Sequence, residues 1–137
     1  MVPSIIVALK KMGASKILLY NRTVSKSENI KKLFNDIEII DKKNIPNDID
    51  MLINASSLGI NLSDKIDLNY EKIGPNKFYY DVIYKPSKTN FLREAEKRGN
   101  KIENGKLMFI YQAQKAFEMW HSIKPEVNSE VEELLDD

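Results

Sequence analysis

The sequence lacks cysteine, has one histidine, and has almost no excess of charge. Without cysteine there is neither a disulfide framework nor a thiol nucleophile. No apolar run approaches the roughly 20 residues that cross a bilayer, and Met1 is not followed by a secretory signal. The net charge of +1 gives no electrostatic case for binding nucleic acid or an anionic membrane. We therefore expect a cytoplasmic protein that binds neither.

Two common kinds of ligand site are also absent from the sequence. No cluster of His, Asp and Glu has metal-ligand spacing, and His121 near a predicted helix end is interpreted as structural. With five glycines, the chain has no glycine-rich loop of the kind that cradles the pyrophosphate of a dinucleotide. Any ligand site must therefore depend on other residues.

Helix and strand patterns alternate along the whole chain. Apolar runs predict strands at 16–20, 37–40, 50–54, 77–83 and 101–103. Helical spacing predicts helices at 3–12, 25–34, 89–98, 107–120 and 127–135. Apolar strands separated by helices indicate an α/β fold, with a parallel sheet covered on both faces. The length fits one domain, residues 1–137.

The end of the first predicted strand carries two cations. The strand runs into Asn21, Arg22 and Thr23, and Lys26 follows one helical turn later. In dinucleotide folds, an acidic residue near this point usually bonds the ribose of NAD, whereas cations suit the 2′-phosphate of NADP. These residues predict NADP. The alternative is a pair of solvated cations beside a helix that Thr23 or Ser25 caps.

Four blocks follow one another along the chain. They are Asn21-Arg22-Thr23 with Lys26, the loop from Ile53 to Ile60, the segment from Tyr80 to Thr89, and the segment from Asn104 to Trp120. In this order and spacing they resemble the NRT, INATS-x-G-M/I, D-x-x-Y-x-P-x-x-T and NG-x-x-M-x-x-x-Q motifs of the shikimate dehydrogenase family. The match is to that family's carboxy-terminal, NADP-binding domain. The resemblance implies a Rossmann-like, three-layer fold.

The resemblance also implies an activity and a set of contacts. The family reversibly reduces 3-dehydroshikimate to shikimate with NADPH, in aromatic amino-acid biosynthesis. The cofactor-binding residues would be Asn21, Arg22, Thr23, Lys26, Asn54, Ser56, Ser57, Val82, Ile83, Gly105 and Met108. Tyr84 and Gln112 would contact the substrate. Each block also has a structural interpretation, as a strand-to-loop turn, a buried strand end or the core face of a helix.

The chain departs from the family pattern at its start. No residue here matches the catalytic lysine and aspartate that the family's amino-terminal substrate domain supplies. The first strand and the G-x-G-G-x loop would lie immediately before Met1. The sequence therefore predicts an amino-terminally truncated fragment, inactive alone, which a partner chain carrying the missing domain could complete.

Three other identities are compatible with parts of this pattern. They are a non-catalytic nucleotide-binding module, a quinate/shikimate dehydrogenase, and a domain like that of glutamyl-tRNA reductase. The D-x-x-Y and Met-to-Gln blocks disfavour the last.

The absent first strand would lie in the middle of a dinucleotide-fold sheet. We expect the strands on either side of that gap to close up and pair directly, Ile17–Leu19 with Met51–Ile53, because unpaired buried backbone is costly. Such closure predicts marginal stability and poor affinity for NADP.

Overall fold

The computed structural model describes residues 1–136. They fall into two compact units, one covering Met1–Pro46 and the other beginning at Asn47. Every strand pair in both units is parallel, so the predicted α/β class with parallel strands is confirmed. That the two units act as one NADP-binding domain over residues 1–137 stays a prediction.

The first unit is a βαβ arrangement preceded by a helix. In chain order it contains α1 (Val2–Lys11), β1 (Leu18–Leu19), α2 (Val24–Leu33), β2 (Glu38–Ile39) and a 3-10 turn (Lys42–Asn44). Leu18 pairs with Glu38 and Leu19 with Ile39. Ile6 and Ile37 are the apolar side chains buried here. The core of this unit is therefore small.

The second unit contains a three-stranded sheet. Its elements are β3 (Met51–Asn54), α3 (Tyr70–Ile73), β4 (Phe78–Asp81), α4 (Asn90–Glu96), β5 (Lys101–Glu103), α5 (Lys106–His121) and α6 (Ser129–Glu133). The strand order is β3-β4-β5, so β4 is central. Helix α4 packs on β4 and β5, where the Phe91 ring lies 5.2 Å from that of Tyr79. Both rings are buried.

One expectation about the sheet is wrong. Strand β1 bonds to β2, β3 bonds to β4, and the two sheets are separate, so Ile17–Leu19 does not pair with Met51–Ile53. Every bonded pair consists of strands that follow one another in the chain, joined by a single crossover. Consecutive strands are neighbours in most sheets, whereas β1 and β3 are not consecutive in the chain.

Candidate functional site

The end of β1 is shaped by an asparagine. Asn21 Oδ1 accepts a hydrogen bond of 2.9 Å from the backbone N–H of Thr23. This Asx turn leads the chain from the strand into α2, whose N-cap is Thr23. Within residues 1–136 the Thr23 side chain makes no capping bond. The structure thus gives Asn21 a turn-forming role and leaves the Thr23 hydroxyl available.

Arg22 and Lys26 are exposed, and neither has an ion-pair partner among the described residues. Two lysines of the same unit form ion pairs, Lys10 with Asp36 and Lys16 with Glu38. The first turn of α2 contains no acidic residue, and cations are unfavourable at this end of a helix. The donor set therefore fits an anionic group such as a phosphate.

The second group of candidate residues is organised by Asp81 at the end of β4. This carboxylate is fully buried and lies beside Asn54 of β3 in the sheet register. Its Oδ1 accepts hydrogen bonds from Asn54 Nδ2 at 3.1 Å and from the Ile83 N–H at 3.0 Å. Its Oδ2 accepts one from Thr89 Oγ1 at 2.7 Å. Three chain segments thus meet at one side chain.

Burial raises the pKa of the Asp81 carboxyl above its usual value, because the charged form loses its water. Hydrogen bonds from Thr89, the Ile83 N–H and Asn54 oppose this shift. Thr89 is also the N-cap of α4, and its Oγ1 accepts a bond of 3.4 Å from the Leu92 N–H. The hydroxyl therefore connects the carboxylate to the start of the helix.

The loop after β3 is held by the side chain of Asn54. Nδ2 donates to the Leu58 carbonyl at 2.9 Å as well as to Asp81. Oδ1 accepts from Ser56 N at 3.1 Å and from Ser56 Oγ at 2.7 Å. Both N–H groups of the Asn54 side-chain amide are thus bonded within the protein. Asn54 would therefore affect ligand binding by holding this loop in place. The neighbouring Ser57 side chain is exposed.

The far end of the same loop is also fixed. The Gly59 N–H donates to Asp64 Oδ2 at 3.1 Å. Gly59 has a φ of +120°, and a Cβ atom there would lie 3.2 Å from the Thr89 side chain. Only glycine suits this conformation and this approach without strain.

Helix α5 begins against the turn that follows β4. The Gly105 N–H donates to the Ile83 carbonyl at 3.1 Å. A Cβ atom on Gly105 would lie 2.0 Å from the Val82 carbonyl oxygen, which is inside contact distance. Val82 and Ile83 are buried. Close packing alone therefore requires glycine at position 105, whatever ligand binds nearby.

One face of α5 carries the remaining candidates. Met108 is half-buried and Gln112 is exposed, and the two are spaced for the same helix face as Gly105. The Tyr84 ring stacks on that of Phe109, with centroids 4.6 Å apart and an angle of 24° between the rings. Phe109 thus supports the tyrosine that the resemblance assigns to the substrate.

The predicted residues form two groups, one in each unit. Four further residues contact the candidates or the segments that carry them, although the sequence did not predict a role for them: Asp81, Thr89, Asp64 and Phe109. A signal for Asp81 was available, since one carboxylate closes the otherwise uncharged run Phe78–Asp81.

The His121 ring lies 4.4 Å from that of Phe117. Among the residues described, no group of three or more His, Asp or Glu could hold a metal ion. In that same part of the chain, none of the helices has both the length and the apolar character needed to cross a bilayer.

Comparison with known proteins gives relatives along nearly the whole chain, although no family model matches it. Shikimate dehydrogenase (NADP(+)) of Pelagibacter ubique is 56% identical over 135 residues, 98% of this chain and 51% of that protein. The chain is a homologue of part of the shikimate dehydrogenases. The enzyme of the same name from Caldicellulosiruptor saccharolyticus is 39% identical over 129 residues, 86% of this chain and 45% of that protein. The chain thus spans about half the length of the curated relatives it matches.

Solved structures agree with this relationship. A shikimate dehydrogenase in complex with NADP+ has a TM-score of 0.74 and 31% identity, covering 88% of this chain and 45% of that one. The Thermus thermophilus enzyme, in complex with NADP(H) and shikimate, has a TM-score of 0.78 and 27% identity, with coverage of 93% and 48%. The Rossmann-like fold and the resemblance to this family, both predicted from the sequence, are confirmed.

Proposed function

We propose that this chain is the NADP-binding part of a cytoplasmic shikimate dehydrogenase, which reversibly reduces 3-dehydroshikimate to shikimate. The observation that carries the proposal is the 56% identity, over 98% of the chain, to a protein named for this activity and cofactor. The ligands are then NADP and shikimate or 3-dehydroshikimate. The partner is a polypeptide segment that carries the family's substrate domain.

The proposed cofactor site has a phosphate end and a nicotinamide end. Arg22 and Lys26 would bind the 2′-phosphate, which is supported by their exposure and their lack of acidic partners within residues 1–136. Asn21 and Thr23 would shape that turn. The nicotinamide end would be formed by the remaining candidates, Asn54, Ser56, Ser57, Val82, Ile83, Gly105 and Met108. The cofactor supplies the hydride, and this chain binds and orients it.

The substrate would contact this chain through Tyr84 and Gln112. The stacking of Tyr84 on Phe109 supports this role, because it restricts the ring while leaving the residue only half-buried. No residue of the chain is assigned as catalytic. The second candidate function is a non-catalytic nucleotide-binding module, because the exposed Arg22 and Lys26 suit a nucleotide phosphate whether or not a reaction follows.

A chimera tests the proposal and separates the two candidates. The 135 aligned residues of the Pelagibacter ubique enzyme would be replaced by those of this chain. We expect NADP-dependent oxidation of shikimate, followed by NADPH fluorescence, and weaker activity in the same chimera with Arg22→Ala. A folded chimera that binds NADPH without turning over shikimate would favour the non-catalytic module. A folded chimera that binds no NADPH would overturn the proposal.

A further inference from the structure

We propose that Asp81 is a positioning residue for the nicotinamide end of the cofactor site. Its carboxylate fixes three segments in one geometry: the loop after β3, the turn after β4 and the start of α4. The inference rests on the proposed function and adds to it a residue with no assigned role.

The Asp81 carboxylate connects segments that lie apart in the chain. Asp81 accepts from Asn54, 27 residues earlier in the chain, from the Ile83 N–H, and from Thr89, eight residues later. Asp81 and Thr89 are fully buried, and Asn54 is nearly so. Water is therefore a poor substitute acceptor for these donors, and loss of one bond leaves a buried polar group unsatisfied.

Candidate cofactor residues are hydrogen-bonded to Asp81 directly or through one other residue. Ser56 is bonded through both its N–H and its hydroxyl to Asn54, which is bonded to Asp81. Ile83 is bonded to Asp81 directly, and the Gly105 N–H is bonded to the Ile83 carbonyl. Four candidates, Asn54 among them, are thus one or two hydrogen bonds from this carboxylate. A small displacement of it would move all of them together.

A second buried polar residue provides a matched control. Asn100 accepts from the Lys77 N–H at 2.8 Å and donates to the Ala95 carbonyl at 3.1 Å. It precedes β5, and Lys77 precedes β4, so this network lies at the amino ends of the strands. None of the candidate cofactor residues takes part in it. Substitution of Asn100 should therefore lower stability without changing the cofactor end.

The experiment is a titration of the purified chain with NADPH and, separately, with NADH. Amide NMR shifts of Ser56, Ile83 and Gly105 report binding even when affinity is weak. Thr89→Val removes the hydroxyl that bonds Asp81, and Thr89→Ser keeps it. We expect Thr89→Val to raise Kd by about tenfold for both cofactors and Thr89→Ser to restore it. Asn100→Ala should leave Kd within about twofold of the wild-type value, even where it lowers the free energy of unfolding as much as Thr89→Val does, or more.

Each result decides between explanations. If wild type binds and Thr89→Val binds equally well, or if Asn100→Ala weakens binding as much, the positioning role is wrong while the proposed function stands. If neither the wild-type chain nor the chimera shows a saturable shift with NADPH, the proposed function is overturned and this inference with it. If only the chimera does, the variants are compared in the chimera. If Thr89→Val does not fold, Asp81→Asn replaces it, since it removes the charge with little change of shape. The same criteria then apply.

Discussion

Arg22 is exposed, and no carboxylate among residues 1–136 forms an ion pair with it. Lys16, at the opposite end of the same short strand, is paired with Glu38 at 3.1 Å. A guanidinium left exposed in this way can make charge-assisted bonds to a phosphate without first breaking an ion pair. The difference between these two residues supplies a test with a built-in control.

Replacing Arg22 with Ala should weaken NADPH far more than NADH. Loss of a charge-assisted contact costs about 1.5–3 kcal/mol, or roughly ten- to a hundredfold in affinity. NADH lacks the 2′-phosphate and should be nearly unaffected. Titration of Arg22→Ala with both cofactors checks this. Lys16→Ala, which changes the net charge by the same amount, is the control. Equal losses for the two cofactors would remove Arg22 from the phosphate site.

Gly105→Ala should destabilise the fold whether or not a cofactor is present. The added Cβ atom would meet the Val82 carbonyl oxygen at 2.0 Å, and overpacking of this kind costs about 1–3 kcal/mol. Gly74→Ala is the control, because its φ of +83° imposes backbone strain while the space around it is open. Urea unfolding should give the larger loss at Gly105. A smaller loss there than at Gly74 would show that the start of α5 can shift freely.

Single residues were predicted best where their chemistry is local. The cations at the end of β1 follow from the sequence because strand, turn and helix are adjacent in the chain. The role of Asn54 and the closeness of Gly105 to Val82 do not follow, since both depend on contacts between segments distant in sequence. The stacking of Phe109 on Tyr84 could not be predicted for the same reason, because the two residues are 25 positions apart in the sequence.

Apolar runs predicted where the strands lie, but they did not predict which strands pair. β5 was predicted at 101–103 and is found at Lys101–Glu103, whereas β1 and β2 are only two residues each. α3 has four residues, too few to show a helical period, and was not predicted. The pairing of β1 with β3 was wrong because a strand's pattern does not encode its neighbour.

The elements meeting at Asp81 should give stability a dependence on pH. Burial raises the pKa of Asp81 above its ordinary 3.8 in the folded chain, so the folded state holds this proton more tightly than the unfolded state does. The free energy of unfolding of wild type, relative to Asp81→Asn, should therefore be greatest below pH 3.8. It should fall as the pH rises through the raised pKa and then level off. Urea unfolding of both proteins across this range measures it.

The opposite dependence of this free-energy difference on pH would show that hydrogen bonding, and not burial, dominates the pKa of Asp81. If wild type gained stability relative to Asp81→Asn as the pH rose, the bonds from Thr89, Asn54 and the Ile83 N–H would outweigh the cost of burial. The carboxylate would then be held ionised to below its ordinary pKa.

For the molecule as a whole, we expect the 137-residue polypeptide to be inactive when purified alone. Positioned acid–base groups typically contribute about 10²–10⁴-fold, and no residue here matches the pair that supplies them in the family. Shikimate-dependent formation of NADPH, followed by fluorescence, should be absent from the isolated chain and present in the chimera. Activity that Arg22→Ala diminishes in the isolated chain would contradict this, whereas activity unaffected by the substitution would point to a contaminant.

The two units should also differ in local stability. The first has two buried apolar side chains, Ile6 and Ile37, and strands of two residues each, whereas the second buries most of the core around a central strand. Small two-stranded sheets are marginal in water, and regions with little buried apolar area open first.

Amide hydrogen exchange measures this difference directly. The Glu38 and Ile40 N–H groups, bonded to Ile17 and Leu19 carbonyls, report on the first unit, and the Phe78 and Val82 N–H groups report on the second. After correction for intrinsic rates, we expect roughly tenfold or faster exchange in the first pair, because it opens at a lower free energy. Added NADPH should slow that pair, since a ligand that binds only the folded form stabilises it. Equal protection in both units without ligand would show that they unfold together, and the small core of the first unit would not limit cofactor binding.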